Sequence, residues 1–116
     1  MTIVVVDTYN VAKGSFVQHE KFVNETLMPT TKRLDKRLKS ASYFSAMAAQ
    51  GISPMGGRMF ISEYDSLADM EKSNQELQAS DEYLKLTDRF AELIETSSFR
   101  SSIWITGTWE LYKHIK

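Results

Sequence analysis

The chain has no cysteine, only two prolines and two histidines, and almost no excess of charge of either sign. Without cysteine there are no disulfides, thiol nucleophiles or thiolate metal sites, which suits a reducing cytoplasm. His19 and His114 are too few and too distant to spell a metal motif, and no His-x-x-x-His pair or carboxylate-rich loop accompanies them, so no metal is expected. Fourteen basic against fifteen acidic residues leave a formal net charge of -1, so no global field draws the chain to nucleic acid or to an anionic membrane. The N-terminal apolar run, Ile3 to Val6, is four residues long and has no basic leader, so it reads as neither a signal peptide nor a membrane span. What remains is one domain of 116 residues, 42% hydrophobic and 25% charged, expected to be soluble, cytoplasmic and free of cofactors.

Ile3 to Tyr9 is short and rich in β-branched residues and predicts a buried strand; Asn10 to Gly14 breaks it. Ser15 followed by Gln18 forms a capping box for a long helix toward Leu38, with Phe16, Val23, Leu27 and Leu34 in one stripe. Pro29 lies inside that helix and predicts a kink or break near Thr26 to Met28. Ser40 to Ala49 reads as a second strand, Gly51 to Gly57 as a turn, and Arg58 to Tyr64 as a third strand. Ser66, with Asp69 three positions on, caps a helix from Leu67 to Gln78. Ser80-Asp81 opens another from Glu82 to Glu95, with Tyr83, Leu86, Phe90, Leu93 and Ile94 as its stripe, and Ile103 to Tyr112 reads as the fourth strand. The order is βαββαβ with a split second helical unit: an α+β, ferredoxin-like arrangement with a four-stranded antiparallel sheet.

Helices in such a fold cover one sheet face, so alternate strand positions should be polar. Here they are not. Val4 and Val6 oppose Ile3 and Val5; Phe44 opposes Tyr43; Met59 and Ile61 oppose Phe60 and Tyr64; Trp104 and Tyr112 oppose Ile103, Ile105 and Trp109. Left wet, the outer face would exceed the roughly 300–600 Å² apolar patch usual on monomers, and a second copy of the chain is the simplest cover.

Two segments resemble the NIPSNAP-like branch of the dimeric α/β-barrel superfamily. Glu63-Tyr64-Asp65-Ser66-Leu67-Ala68 is similar to its strand-to-helix junction, and Tyr9, Val11 and Gly14 to its first-strand exit. Where that family commonly has arginine two residues before the tyrosine and proline before the glycine, this chain has Asp7 and Lys13, which weakens the transfer of a basic ligand contact. The resemblance implies a homodimeric α/β barrel. Its chemistry stays open, since the superfamily hosts oxygenases, isomerases, haem-degrading enzymes and proteins with no established activity. A haem-degrading relative would carry a histidine on the last helix; Asn10 could answer its asparagine, but Glu82 to Glu95 contains no histidine.

Among candidate site residues, His19 and Glu20 stand first. A helix begun at Ser15 places Glu20 within the apolar stripe and His19 at its edge, and an inward carboxylate is costly unless paired. Tyr9, Tyr43, Tyr64 and Trp104 supply an aromatic load that reads either as core and dimer interface or as a box for a small aromatic or apolar ligand. Tyr64 is either a proton donor beside a carboxylate or a packed side chain. Gly56-Gly57-Arg58 is either an anion cradle or hairpin geometry with Arg58 in an ion pair. Two functions follow: a non-catalytic small-ligand protein, or a cofactor-independent oxygenase or isomerase with His19 or Glu20 as base and Tyr9 or Tyr43 orienting the substrate.

Overall fold

A computed structural model describes residues 1–47, 56–107 and 113. Strands β1 (Ile3–Val11), β2 (Ser40–Ser45), β3 (Gly57–Tyr64) and β4 (Ile94–Ile105) form one antiparallel sheet in the order β2-β3-β1-β4. The long helical segment comprises α1 (Phe16–Phe22), a π-helical turn (Val23–Leu27) and α2 (Met28–Leu34); α3 (Leu67–Gln78) and α4 (Asp81–Leu93) follow β3. The order is the ferredoxin-like βαββαβ read from the sequence, and no helix among the described residues is long and apolar enough to cross a membrane.

The registers sort the strand residues into two faces. Ile3, Val5, Asp7, Tyr9 and Val11 of β1 share one face with Arg58, Phe60, Ser62 and Tyr64 of β3 and with Ala41 and Tyr43 of β2. This is the helix-covered side. Ile3, Tyr64 and Met70 form one core cluster; Tyr9, Val11 and Ile94, with Phe60, Phe90 and Phe99 packed against them, form the other. The other face carries Val4, Val6, Met59, Ile61, Phe44 and Trp104, with Phe44 and Trp104 exposed and the rest half-buried, as the alternation of apolar residues predicted.

Local signals placed α3 at its predicted bounds: Ser66 is extended, and its hydroxyl accepts from the Asp69 amide at 3.1 Å. Ser80 caps α4 in the same way, from the Tyr83 amide. The Ser15 capping box does not form, because Ser15 sits at φ -108°, ψ 11° and its side chain makes no capping bond; only the extended Ncap conformation turns the hydroxyl toward the first-turn amides. Gly14, at φ 84°, makes the preceding turn.

Pro29 neither breaks nor ends the helix. The Met28 amide bonds the Val23 carbonyl five residues back, and this widened turn accommodates a ring that would clash with the carbonyl of residue 25 in a regular α-helix. The helix stops at Leu34, short of Leu38, where Asp35 turns extended and inward. Phe16 is 38% exposed and leaves the predicted stripe, while His19 and Val23 are fully buried.

The last strand begins nine residues before its predicted start, directly after Leu93. Glu95 to Ser102 are too polar to read as a buried strand, but as the sheet edge this segment pairs only with β1, at Glu95 and from Arg100 to Ser102 with an irregularity between, and polar edges discourage further pairing. The predicted Trp109 and Tyr112 positions, the end of the second strand at Ala48-Ala49 and most of the Gly51 to Gly57 turn lie outside the described residues.

Candidate functional site

Helix α1 lies over the β1–β3–β2 side of the sheet and delivers two adjacent side chains to it. His19 has no exposure at all, and Glu20 is about 38% exposed. This reverses the expected order, in which Glu20 faced inward. The stripe runs through His19, Val23 and Leu27 at four-residue spacing, and a polar histidine on the apolar face shifts the helical wheel away from a Phe16 anchor.

Tyr9 from β1 and Tyr43 from β2 close on this pair, as does Arg58 from the start of β3. Tyr9 Oη stands 2.7 Å from His19 Nε2, and His19 Nδ1 is 3.1 Å from Glu20 Oε1. The same carboxylate oxygen accepts from Tyr43 Oη and from Arg58 Nε, each at 2.8 Å, and Arg58 Nη1 donates to the Gly57 carbonyl. All groups are paired if Nδ1–H donates to Glu20 and Nε2 accepts the Tyr9 proton. Arg58 is thus an ion-pair partner, and Gly57 serves strand geometry with no phosphate-loop context.

The electrostatics match. Burial lowers His19 below its ordinary 6.5 and outweighs Glu20, so the ring is neutral near pH 7. Burial would raise Glu20, but hydrogen bonds from Tyr43, Arg58 and His19 hold it below the usual carboxylate range. Burial pushes the Tyr9 and Tyr43 phenols well above theirs. A proton relay Glu20–His19–Tyr9 therefore exists in geometry, ending on a phenol that is 2% exposed. Tyr9 is stacked near Phe60 and Phe99 and edge-on to Phe90, with centroids 6.0, 6.3 and 4.9 Å away.

This network predicts a response to acid. His19 resists protonation when folded, so its stability contribution declines as pH falls below 6.5; Glu20, depressed by its donors, loses its contribution at lower pH still. Glu20→Gln should cost about 1–2 kcal/mol in urea unfolding, the ion pair being discounted for partial exposure. A cost under about 0.5 kcal/mol would show the network to be idle.

Tyr64 and Trp104 do not join this group. Trp104 lies on the far side of the sheet, 61% exposed, its indole N–H donating to Ser102 Oγ. Tyr64 packs with Ile3 and Met70 and donates to Asp35 Oδ2 at 2.6 Å; Ser73 Oγ donates to Oδ1 at 2.7 Å. Beside this second group, between sheet and helices, is a cavity of about 300 Å³. Its apolar wall includes Val5, Met70, Leu77 and Phe99, and its polar points include Asp7, Tyr64, Asn74 and Tyr83. An adjoining lobe of about 110 Å³ shares Asp7, Ser62 and Tyr83 and is bordered by Phe60 and Lys32. Phe60 and Phe99 thus stand between this space and the Tyr9 network.

Asp7 and Asp35 were missed as site residues. Asp7 had a signal, as a carboxylate at an inward position between Val5 and Tyr9 of a β-branched strand. Asp35 had none, because its Lys-Arg-Leu-Asp-Lys-Arg surroundings read as a solvated helix face. No group of three His, Cys, Asp or Glu side chains suited to a metal occurs among the described residues.

No protein-family model and no curated protein matches the chain. Solved structures do. A NIPSNAP family protein from Agrobacterium tumefaciens superposes with a TM-score of 0.72 at 21% identity, covering 92% of this chain and 94% of that one. An uncharacterized NIPSNAP domain protein from Burkholderia xenovorans gives 0.70 at 16% identity over 92% and 96% of the two chains. An ethyl tert-butyl ether d (ethd) family protein from Bacillus halodurans gives 0.66 at 13%, over 92% and 100%. At these identities the likeness is one of backbone architecture, and the chain has a NIPSNAP-like fold.

Proposed function

We propose that this protein is a homodimer that binds a small ligand with an apolar or aromatic body, without catalysis, in the space between its helices and sheet. The observation that carries the binding reading is the cavity of about 300 Å³ with apolar walls and a few convergent polar groups, at the lower end of the size range of ligand sites. The dimer reading rests on the outer sheet face, where Val4, Val6, Phe44, Met59, Ile61 and Trp104 would otherwise face water. The lack of cysteine accords with a reducing cytoplasm.

A second reading, a cofactor-independent oxygenase or isomerase, is favoured by the Glu20–His19–Tyr9 relay. Binding ranks first because the relay ends on an enclosed phenol behind Phe60 and Phe99, whereas the cavity is separate. NMR titration with small aromatic and aliphatic compounds tests the choice. Compounds that bind should shift the amides of Asp7, Ser62, Leu77 and Ser101, and Leu77→Trp, which fills the space, should abolish the shifts. A compound set that leaves those amides unmoved would overturn the reading. Turnover of a bound compound that Tyr9→Phe removes would put the enzyme first.

A further inference from the structure

The cavity's wall includes an acid, Asp7, whose carboxyl is incompletely paired. Asp7 Oδ1 has essentially no solvent contact and no hydrogen bond. A carboxylate so placed is costly, and a native fold retains one where something else satisfies it. The neighbours do not. The space is lined with Asp7 by Ser62 and Tyr64 from β3, Phe99 and Ser101 from β4, Tyr83 from α4, and Thr31 and Asp35 from α2 and the turn after it. Lys32 borders the smaller lobe and not the larger cavity, and forms no ion pair with Asp7 among the described residues. No Lys, Arg or His lines the larger cavity among the described residues, and its second acid, Asp35, is already engaged by Tyr64 and Ser73.

A carboxylate without a counter-ion, set among Tyr64, Tyr83 and Phe99, is the environment that organic cations seek: Coulombic attraction on one side, aromatic faces on the other, and apolar wall for the rest of the molecule. We propose that the cavity takes a small organic ammonium ion, a protonated amine or quaternary ammonium on an apolar body, with Asp7 as its counter-ion and the three rings as its wall. This rests on the binding reading above and adds the charge of the ligand. Desolvation supports it: burial raises the Asp7 carboxyl above its ordinary range, only partly countered by the Ser101 hydroxyl. A bound cation would reverse that shift.

The sign of the linkage makes Asp7→Asn a clean variant. A carboxyl raised on folding contributes its stability at acid pH and loses it as pH rises through the folded value, so at pH 7 the asparagine variant should be at least as stable as the parent.

The experiment is NMR titration of the full chain at pH 7 with benzyltrimethylammonium, benzyl alcohol and benzoate. The cation should shift the Asp7, Ser62, Tyr83 and Ser101 amides and bind at least about tenfold more tightly than the alcohol, with benzoate weakest. Asp7→Asn should remove the preference of the cation over the alcohol. In the parent chain, carbon NMR of the Asp7 carboxyl should show its pKa falling when the cation is added, a readout that needs no variant. If the alcohol or benzoate binds as well as the cation, if Asp7→Asn keeps the preference, or if the Asp7 pKa does not fall, the ammonium assignment is overturned and the cavity reading stands. If none of the three shifts those amides, both fall.

Discussion

Replacing Asp35 with alanine should cost the fold about 2–5 kcal/mol, the largest loss expected from one side chain. Asp35 is 4% exposed and ties three elements together: it accepts from Tyr64 of β3 and Ser73 of α3, and its own position ends α2. Without it two buried hydroxyls lose their acceptor, each at about 1–3 kcal/mol, and a void opens beside the cavity. Asp35→Asn keeps an acceptor oxygen, and the hydroxyls can rotate to meet its amide, so it should cost distinctly less. Urea unfolding measures both. Equal losses would mean that volume, not hydrogen bonding, sets the effect, and an alanine cost below about 1 kcal/mol would remove Asp35 as the tie between sheet and helices.

Placing charge at the centre of the outer face should dissociate the proposed dimer. Ile61 lies on β3 between Val6 of β1 and Ser42 of β2, on the face that carries Phe44 and Trp104. In a two-fold assembly Ile61→Glu introduces two like charges into one apolar interface and forfeits burial worth roughly 1.5–3 kcal/mol per large side chain, so the dimer should weaken at least about a hundredfold. The monomer should keep its helical signal, because the Tyr9 and Tyr64 clusters lie on the opposite side of the sheet. Sedimentation at micromolar concentration reads the result. A parent chain that is itself monomeric there ends the dimer reading, and a dimer unmoved by Ile61→Glu moves the interface elsewhere.

Stability and binding should trade against each other at Asp7. The carboxylate stands with one oxygen buried and unpartnered where an uncharged amide would fit with less desolvation cost, a pattern common at functional positions. Thermal unfolding of Asp7→Asn beside its ligand titration measures both sides.

Sequence alone determined the elements whose signals are local. Ser66 and Ser80 open α3 and α4 because a hydroxyl meets an amide three residues along the same chain, and β1 and β3 follow from β-branched and alternating apolar residues. It also gave the two apolar sheet faces, since side-chain alternation follows from extended backbone alone. Tertiary structure decided what depends on distant partners. Pro29 sits in α2 directly after a π-helical turn, so the helical segment continues past it instead of stopping, and the polar run from Glu95 to Ser102 became a strand because β1 pairs with Glu95 and with Arg100 to Ser102, not because its side chains favour one. The candidate sites show the same division. His19 and Glu20 could be singled out as neighbours, with Tyr9 and Tyr43 nearby in kind, but which of the pair is buried turns on one rotation of α1 against the sheet. Arg58 reaches Glu20 only because β3 brings it there across a sequence separation of 38 residues. Asp35 looked solvated by its neighbours and is buried by Tyr64 and Ser73, two partners that only the folded chain supplies.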